Sequence, residues 1–273
     1  ASGRDPHAAA DMHERMLASH RLYSTNRLPE FLRTHPLSEK RVADMRNLPR
    51  AERRVIRPKS FDFQLMQARV RHQLARTPKA AIDLFKEQTL KGGTEAAAGW
   101  YGLALAQLDA NEPVKARNAL EQAMKPDPNN IAFLIANATI DTALGRHQSA
   151  LKQLKRRLNL SPGNHPLTMA YADALWQAGM PHIAAQILKT QSKRKPEDPG
   201  VWYRLAEVQG LAGDIIGLHQ SRAEYFILVG ALDAAQSQLS YALKLVNNNF
   251  TQSATINERL RDVMDIREEL ENS

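Results

Sequence analysis

Two histidines near the start of the chain are the first residues whose types and spacing could support metal chemistry. Residues 12–17 read MHERML. This approaches the H-E-x-x-H motif, in which two imidazoles one helical turn apart bind one zinc ion. Leu17 stands where the second histidine is needed, and His13 and His20 would lie about 10 Å apart along a helix axis. The motif is therefore incomplete, and we expect neither a catalytic residue nor a bound cofactor in this chain.

A further histidine, His35, lies in the segment FLRTHPLSEKR at residues 31–41. Pro36 disfavours a helical conformation for the residue before it, so Thr34 and His35 are expected on a loop that precedes a helix. The simplest interpretation is a turn residue whose imidazole is packed or solvated. Whether the imidazole has another role depends on the elements that surround it in the rest of the chain.

The composition favours close-packed helices and a basic surface. Aromatic residues make up only 6% of the 273 residues, and alanine and leucine dominate the apolar set, as in helical rather than β-sheet proteins. The absence of cysteine excludes disulfides and thiolate metal sites. The net charge is +8, with basic runs within 33–59, 152–157 and 193–195. No aromatic residues are interspersed in these runs, so we read them as solvated helix faces and expect no nucleic-acid partner.

The sequence repeats at a fixed interval. Small, apolar and proline positions recur in phase over three units with a period of about 34 residues, and this spacing and pattern resemble the tetratricopeptide repeat, a pair of helices joined by a short turn. Gly145 and Gly179 fall at the predicted turns between paired helices, where a left-handed backbone is needed. The in-phase columns are Ala116, Ala150 and Ala184; Leu120, Leu154 and Leu188; Ala104, Ala138 and Ala172; and Pro128, Pro162 and Pro196.

We therefore predict an all-α solenoid over residues 61–273. The predicted units lie near 63–96, with its alanine column displaced by one residue, and then at 97–130, 131–164, 165–198 and 199–249. In the last of these, one helix should belong to two pairs. An amphipathic helix at 251–271 has the polar outer face that a solenoid cap needs.

The first helices of the units should line a concave face that binds a protein or peptide. The alternative is that many of these side chains only pack between repeats. The residues expected on this face are Tyr101, Leu105, Leu108, Asp109, Ile135, Thr139, Thr142, Met169, Asp173, Trp176, Gln177, Tyr203 and Glu207.

Residues 1–60 carry a different signature. The segments GRDPHAAADMHERM and LPEFLRTHPLSEKRVADMRNLP are similar to the end of the protease domain in bacterial periplasmic zinc peptidases of the BepA type. In that family a G-x-D-P step is followed by a P-x-F-L-x-T-H-P-x-x-x-x-R-[IV] motif and then by tetratricopeptide repeats. The matching residues are Gly3, Asp5, Pro6, Pro29, Phe31, Leu32, Thr34, His35, Pro36, Arg41 and Val42.

This resemblance implies that residues 1–60 are the helical and loop remnant of a metallopeptidase domain whose H-E-x-x-H helix and glutamate ligand lie upstream. The intact parent would hold zinc, and this chain would be inactive alone. His35 would be a regulatory zinc ligand in the intact enzyme, where it could occupy the open coordination position. The implied location is the periplasm, and the implied partners are outer-membrane β-barrel proteins, their assembly machinery and the chain's own protease domain. The alternative is a stand-alone tetratricopeptide adaptor with no protease parent.

Overall fold

The computed structural model describes residues 10–16, 39–47, 60–246 and 249–271, and these contain helices and loops but no strand. The all-α fold class predicted from the sequence is confirmed. The chain divides into two units, residues 1–60 and residues 61–273. Each unit is described separately below.

Two helical segments of the first unit are joined by charged side chains. Residues 10–16 form α1, and α2 spans Glu39–Arg46. Arg46 donates hydrogen bonds to both carboxylate oxygens of Glu14, each at 2.8 Å, and its guanidinium lies 3.1 Å from Asp11. These groups are solvent-exposed, so the ion pairs contribute little to stability and are weakened by salt. His35 lies outside the described residues.

The second unit forms twelve helices within residues 60–246 and 249–271. Most neighbouring helices are joined by short turns, which is the arrangement of helix–turn–helix repeats. The helices are α3 Phe61–Leu74, α4 Pro78–Thr89, α5 Gly93–Asp109, α6 Pro113–Ala123, α7 Ile131–Ala143, α8 His147–Leu160, α9 His165–Gln177, α10 Pro181–Arg194, α11 Pro199–Leu211, α12 Ile215–Leu228, α13 Leu232–Leu245 and α14 Phe250–Glu271.

The same residue types begin successive repeats because helix starts leave backbone N–H groups without partners. Asn130, Asn164 and Asp198 occupy equivalent positions of three successive repeats, immediately before α7, α9 and α11. In each case the side-chain oxygen accepts a hydrogen bond from a backbone N–H of the first turn, at 2.9–3.1 Å. Such caps are favoured at helix N-termini. The repeat period therefore sets where these helices begin.

The turns within the helix pairs also follow the period. Gly145 and Gly179 have φ values of +74° and +79°, and Asn111, at the equivalent position of the preceding repeat, has φ +58°. Glycine reaches this left-handed region without steric cost, and asparagine is among the few other residues that tolerate it. The glycines predicted at the turns are thus in the backbone conformation that requires them.

The repeated alanine and leucine columns are buried between the paired helices. Ala116, Ala150, Ala184 and the leucines one helical turn after each are at most 2% exposed. In the first repeat, Ala81 and Phe85 take the corresponding buried positions one residue earlier, and both are also buried. Small residues at these positions allow the two helices of a pair to approach closely.

Helices at the end of the solenoid depart from strict pairing. Helix α12 packs extensively against both α11 and α13. Helix α14 is tied to α12 by Arg259, which donates to both carboxylate oxygens of Glu224 at 2.8 and 2.7 Å. The hydrogen bond to Glu224 is the main cause of a raised pKa for Arg259. Helix α14 also buries Ile256 and Val263 against the core of α12 and α13.

Candidate protein-binding groove

A groove of about 1060 Å³ opens on the first helices of three repeats, α3, α7 and α9. Helix α3 forms one wall, α7 contributes the floor, and α9 forms the other wall. The residues just before α7 and α9 and Leu154 of α8 complete the lining. A cavity of this size is at the upper end of the range for small-molecule sites and is large enough for several side chains of a peptide.

The surface available in the groove is mainly apolar. Met66 and Val70 lie one helical turn apart on α3 and are 47% and 52% exposed. They share the lining with Ile131 and Ile135 of α7 and with Met169 of α9. Methionine side chains are flexible and polarizable, so a surface containing them can adapt to different apolar ligands.

The two aspartates of the lining are engaged with protein neighbours. Asp62 accepts a hydrogen bond from the side-chain amide of Asn130 at 3.1 Å. Asp173 lies 2.9 Å from the Arg204 guanidinium. Burial raises the pKa of Asp173, and Arg204 partly offsets that shift.

His165, at the edge of the groove, is held in the same way. Its Nδ1 is 2.9 Å from the Gln191 amide nitrogen, and its Nε2 is 3.2 Å from an Asp198 carboxylate oxygen. Because these polar groups already have partners, the apolar side chains offer the larger gain on binding.

Aromatic packing holds the α3 wall in place. The Phe133 ring of α7 lies with its centroid 5.9 Å from that of Phe61 in α3 and 5.5 Å from that of Tyr101 in α5. Phe133 is fully buried and Tyr101 is 1% exposed. Burial raises the pKa of Tyr101. This cluster connects three successive first helices beneath the groove.

The structure brings only part of the sequence-predicted binding face into this groove. The predicted residues that line it are Ile135, Thr139, Thr142, Met169, Asp173 and Gln177.

The other predicted residues lie elsewhere. Tyr101 is buried, and Leu105 and Leu108 pack against the core formed by the first repeats. Trp176 packs against the core of the middle repeats. Asp109 is exposed and pairs with His72 of α3, at 2.8 Å from its Nε2.

Tyr203 and Glu207 lie on α11, outside the groove lining. Tyr203 is 51% exposed and packs edge-on against Tyr225, with ring centroids 5.4 Å apart. Glu207 accepts a hydrogen bond from Arg204 at 2.7 Å.

The sequence reasoning missed the α3 wall. Met66, Arg69 and Val70 line the groove, although the predicted face began only at the next repeat. The available signal was the pair Met66 and Val70. These large apolar residues lie one helical turn apart and are additional to Leu65 and Ala68, the buried core positions of the same helix. Neighbouring exposed apolar side chains indicate an interaction surface for a protein or another ligand.

The described residues do not provide a zinc site, because no group of three or more histidine, aspartate or glutamate side chains in them could hold a metal ion. Among the helices at 10–16, 39–46 and between 60 and 271 as described, none is both long and apolar enough to cross a membrane.

Part of the repeat region matches a known family model. A family model described as "Tetratricopeptide repeat" matches residues 141–208, which cover α8 to α10 and most of α11. A thermophilic tetratricopeptide-repeat protein of Thermus thermophilus is a structural neighbour with 20% identity, a TM-score of 0.45 and coverage of 75% of this chain and 99% of its own.

Relatives match almost the whole chain. The β-barrel assembly-enhancing protease of Escherichia coli is 32% identical over 98% of this chain and 54% of its own length. The Yersinia pestis protein of the same name is 27% identical over 98% of this chain and 55% of its own length. The chain thus spans about half the length of the curated relatives that it matches. Residues 141–208 thus match the tetratricopeptide repeat, and the chain is similar over nearly its whole length to the β-barrel assembly-enhancing proteases.

Proposed function

We propose that this chain is the protein-binding part of a β-barrel assembly-enhancing protease and that its groove holds apolar segments of outer-membrane β-barrel precursors or of their assembly machinery. The observation that carries the proposal is the groove between α3, α7 and α9, with exposed Met66 and Val70 facing the apolar floor. The homology over 98% of the chain favours a protease parent over a stand-alone adaptor.

The chemistry of the groove suits segments of incompletely assembled proteins. A β-barrel precursor exposes apolar side chains before its strands are paired, and an apolar groove can cover them. The polar groups of Asp62, His165 and Asp173 are already hydrogen-bonded or ion-paired within the chain. Binding would therefore depend on apolar contact and would accept many sequences, as is useful for a protein that handles several clients.

The location and the metal belong to the same proposal. A client of this kind places the protein in the periplasm, between the two membranes of the bacterial envelope. In the intact parent, zinc would supply a Lewis acid and an activated water for peptide hydrolysis. The described residues of this chain would bind and present the client through the groove on α3, α7 and α9.

Converting the α3 wall from apolar to acidic tests the groove. The double variant Met66→Glu and Val70→Glu should bind a fluorescently labelled, urea-unfolded β-barrel protein at least about tenfold more weakly. Each buried apolar side chain contributes about 1.5–3 kcal/mol, and about 1.4 kcal/mol corresponds to a factor of ten in affinity. Both side chains are about half exposed, so the fold should survive the change. Affinity would be measured by fluorescence anisotropy after dilution of the client.

The matched control places the same charges on apolar side chains outside the groove. Val114 of α6 and Leu211 of α11 are 64% and 60% exposed, and neither belongs to the lining. The Val114→Glu and Leu211→Glu double variant should retain client affinity within about twofold, a change of less than about 0.5 kcal/mol. Equal losses in the two variants, or no loss in either, would show that the groove is not the client site.

We also propose that His35 restrains proteolysis in the intact parent by occupying the open coordination position of the zinc. An imidazole there would displace the water that a zinc peptidase needs. His35→Ala in the full-length enzyme should therefore raise basal cleavage of casein while client affinity stays unchanged. A parental cleavage rate in a folded, metal-loaded variant would leave His35 as a turn residue alone.

A further inference from the structure

Helices α8 and α10 carry an unusual charge pattern. Four lysine or arginine residues lie on α8 and three on α10, and neither helix contains a carboxylate. Arg157 donates a hydrogen bond to the Asn129 side chain. The other six side chains are exposed and form no ion pair in the part of the chain that the structure describes. Within the described residues these six charges are therefore not neutralised, and they are available to an anionic partner.

A cleft of about 430 Å³ lies between these two helices. Lys155 of α8 and Arg194 of α10 contribute a cation from each side, and Leu158 and Ile187 provide apolar surface between them. Neither aspartate nor glutamate occurs in the lining, which also shares no residue with the groove on α3, α7 and α9. The cleft therefore combines positive charge with a half-buried apolar surface.

We propose that this cleft binds an acidic segment of a partner protein, with a carboxylate between Lys155 and Arg194 and a neighbouring apolar side chain against Leu158 and Ile187. Arg194 is suited to this role because its planar guanidinium can donate two parallel hydrogen bonds to one carboxylate. The proposal is independent of client binding in the groove. It adds a second, electrostatic docking surface to the same solenoid.

Two other anionic partners fit the surface less well. Attachment to a lipid bilayer needs apolar anchors beside the cations. Only two large apolar side chains are exposed on these helices, Ile183 near the start of α10 and Leu160 at the end of α8, which offers little apolar area for anchoring in a bilayer. Single-stranded nucleic acid is held by exposed aromatic rings, and Tyr171, the aromatic residue of the cleft lining, is half-buried.

The test uses the whole chain and a fluorescein-labelled peptide of about twelve residues that alternates glutamate and leucine, long enough to span the cleft at roughly 3.3 Å per residue. The double variant Lys155→Glu and Arg194→Glu should weaken peptide binding at least about tenfold, because attraction becomes repulsion at both sides of the carboxylate. Raising the salt concentration should weaken binding to the parent chain, since the cations are exposed. Binding would be followed by fluorescence anisotropy.

The control variant is Lys79→Glu with Lys86→Glu, which reverses the charge of two exposed lysines of α4. It changes the net charge by the same amount on another surface. It should alter the affinity by no more than about twofold, since these charges are distant from the cleft and screened. Circular dichroism and thermal melting of each variant establish that the fold is retained. If the charge reversal unfolds the chain, Lys155→Gln with Arg194→Gln removes the same charges without repulsion and should still weaken binding clearly more than the control.

Four outcomes would overturn the proposal. One is an equal loss in the α4 control, and another is equal binding of a peptide with lysine in place of glutamate. A third is absence of binding to the parent chain at about 1 mM peptide, the weak end of useful affinity. The fourth is tighter binding to phosphatidylglycerol vesicles or single-stranded DNA than to the peptide. The Met66→Glu and Val70→Glu variant should bind the acidic peptide normally, which separates failure of this cleft from failure of the groove.

Discussion

Asp141→Ala is expected to lower the free energy of unfolding by about 3–5 kcal/mol, the usual cost of removing one partner from a buried ion pair. The Asp141 side chain is 5% exposed and lies 2.5 Å from the Arg117 guanidinium. It also accepts hydrogen bonds from Ser149 and Gln153 of α8, both at 2.9 Å. Truncation would remove the carboxylate that pairs with Arg117 between α6 and α7. The Arg117 side chain is only 20% exposed, so its charge would be left without a partner and poorly solvated.

Urea denaturation followed by circular dichroism would measure the loss, and hydrogen exchange should show faster opening of α6, α7 and α8. Repeat proteins need not unfold in one step, since each repeat contacts mainly its neighbours, so the local exchange data are needed beside the global curve. Replacing the whole pair, Arg117→Met with Asp141→Leu, should recover most of the stability, because no uncompensated charge remains.

The exposed pair Glu112–Lys115 is the matched comparison. Its atoms are 2.7 Å apart, but the two side chains are 37% and 64% exposed. Lys115→Ala should therefore change stability by no more than about 0.5–1 kcal/mol. If Asp141→Ala costs no more than Lys115→Ala, the buried network does not stabilise the middle repeats.

Phe133→Ala is expected to cost about 3–5 kcal/mol, as for other fully buried aromatic residues. The Phe133 ring contacts Phe61 of α3 and Tyr101 of α5. The cavity left by its removal would loosen α3, because Phe61 would lose its partner across the helix boundary. Since α3 forms one wall of the groove, client affinity should fall together with stability.

Amide exchange in α3 and binding of the unfolded β-barrel client would both be measured under conditions where the variant stays folded. Phe133→Leu retains much of the apolar volume and should cost clearly less. Leu74→Ala, at a position that is 77% exposed at the end of α3, should leave exchange and binding near the parental values. Unchanged α3 exchange in a destabilised Phe133→Ala variant would show that other contacts hold this wall.

The sequence alone was sufficient for the fold class and for the helix pairs. The alanines and leucines that recur in phase in three successive repeats are buried, and Gly145 and Gly179 adopt positive φ. Both features are local consequences of residue type and spacing, because a helix pair must bury one face of each helix and reverse direction in a few residues. The kinship with β-barrel assembly-enhancing proteases was also predicted from the motifs of residues 1–60 and is confirmed by relatives matching nearly the whole chain.

Only the tertiary structure decided which members of the repeated positions are accessible. Tyr101 and Ile135 occupy the same position of successive repeats, yet Tyr101 is buried and Ile135 lines the groove. The period specifies the face of a helix on which a side chain lies. It does not specify which neighbouring helix covers that face. Packing of α3 against α5, with Phe61 against Phe133 of α7, covers Tyr101 and leaves Met66 and Val70 in the groove lining, because long-range packing depends on the shapes and volumes of side chains far apart in sequence.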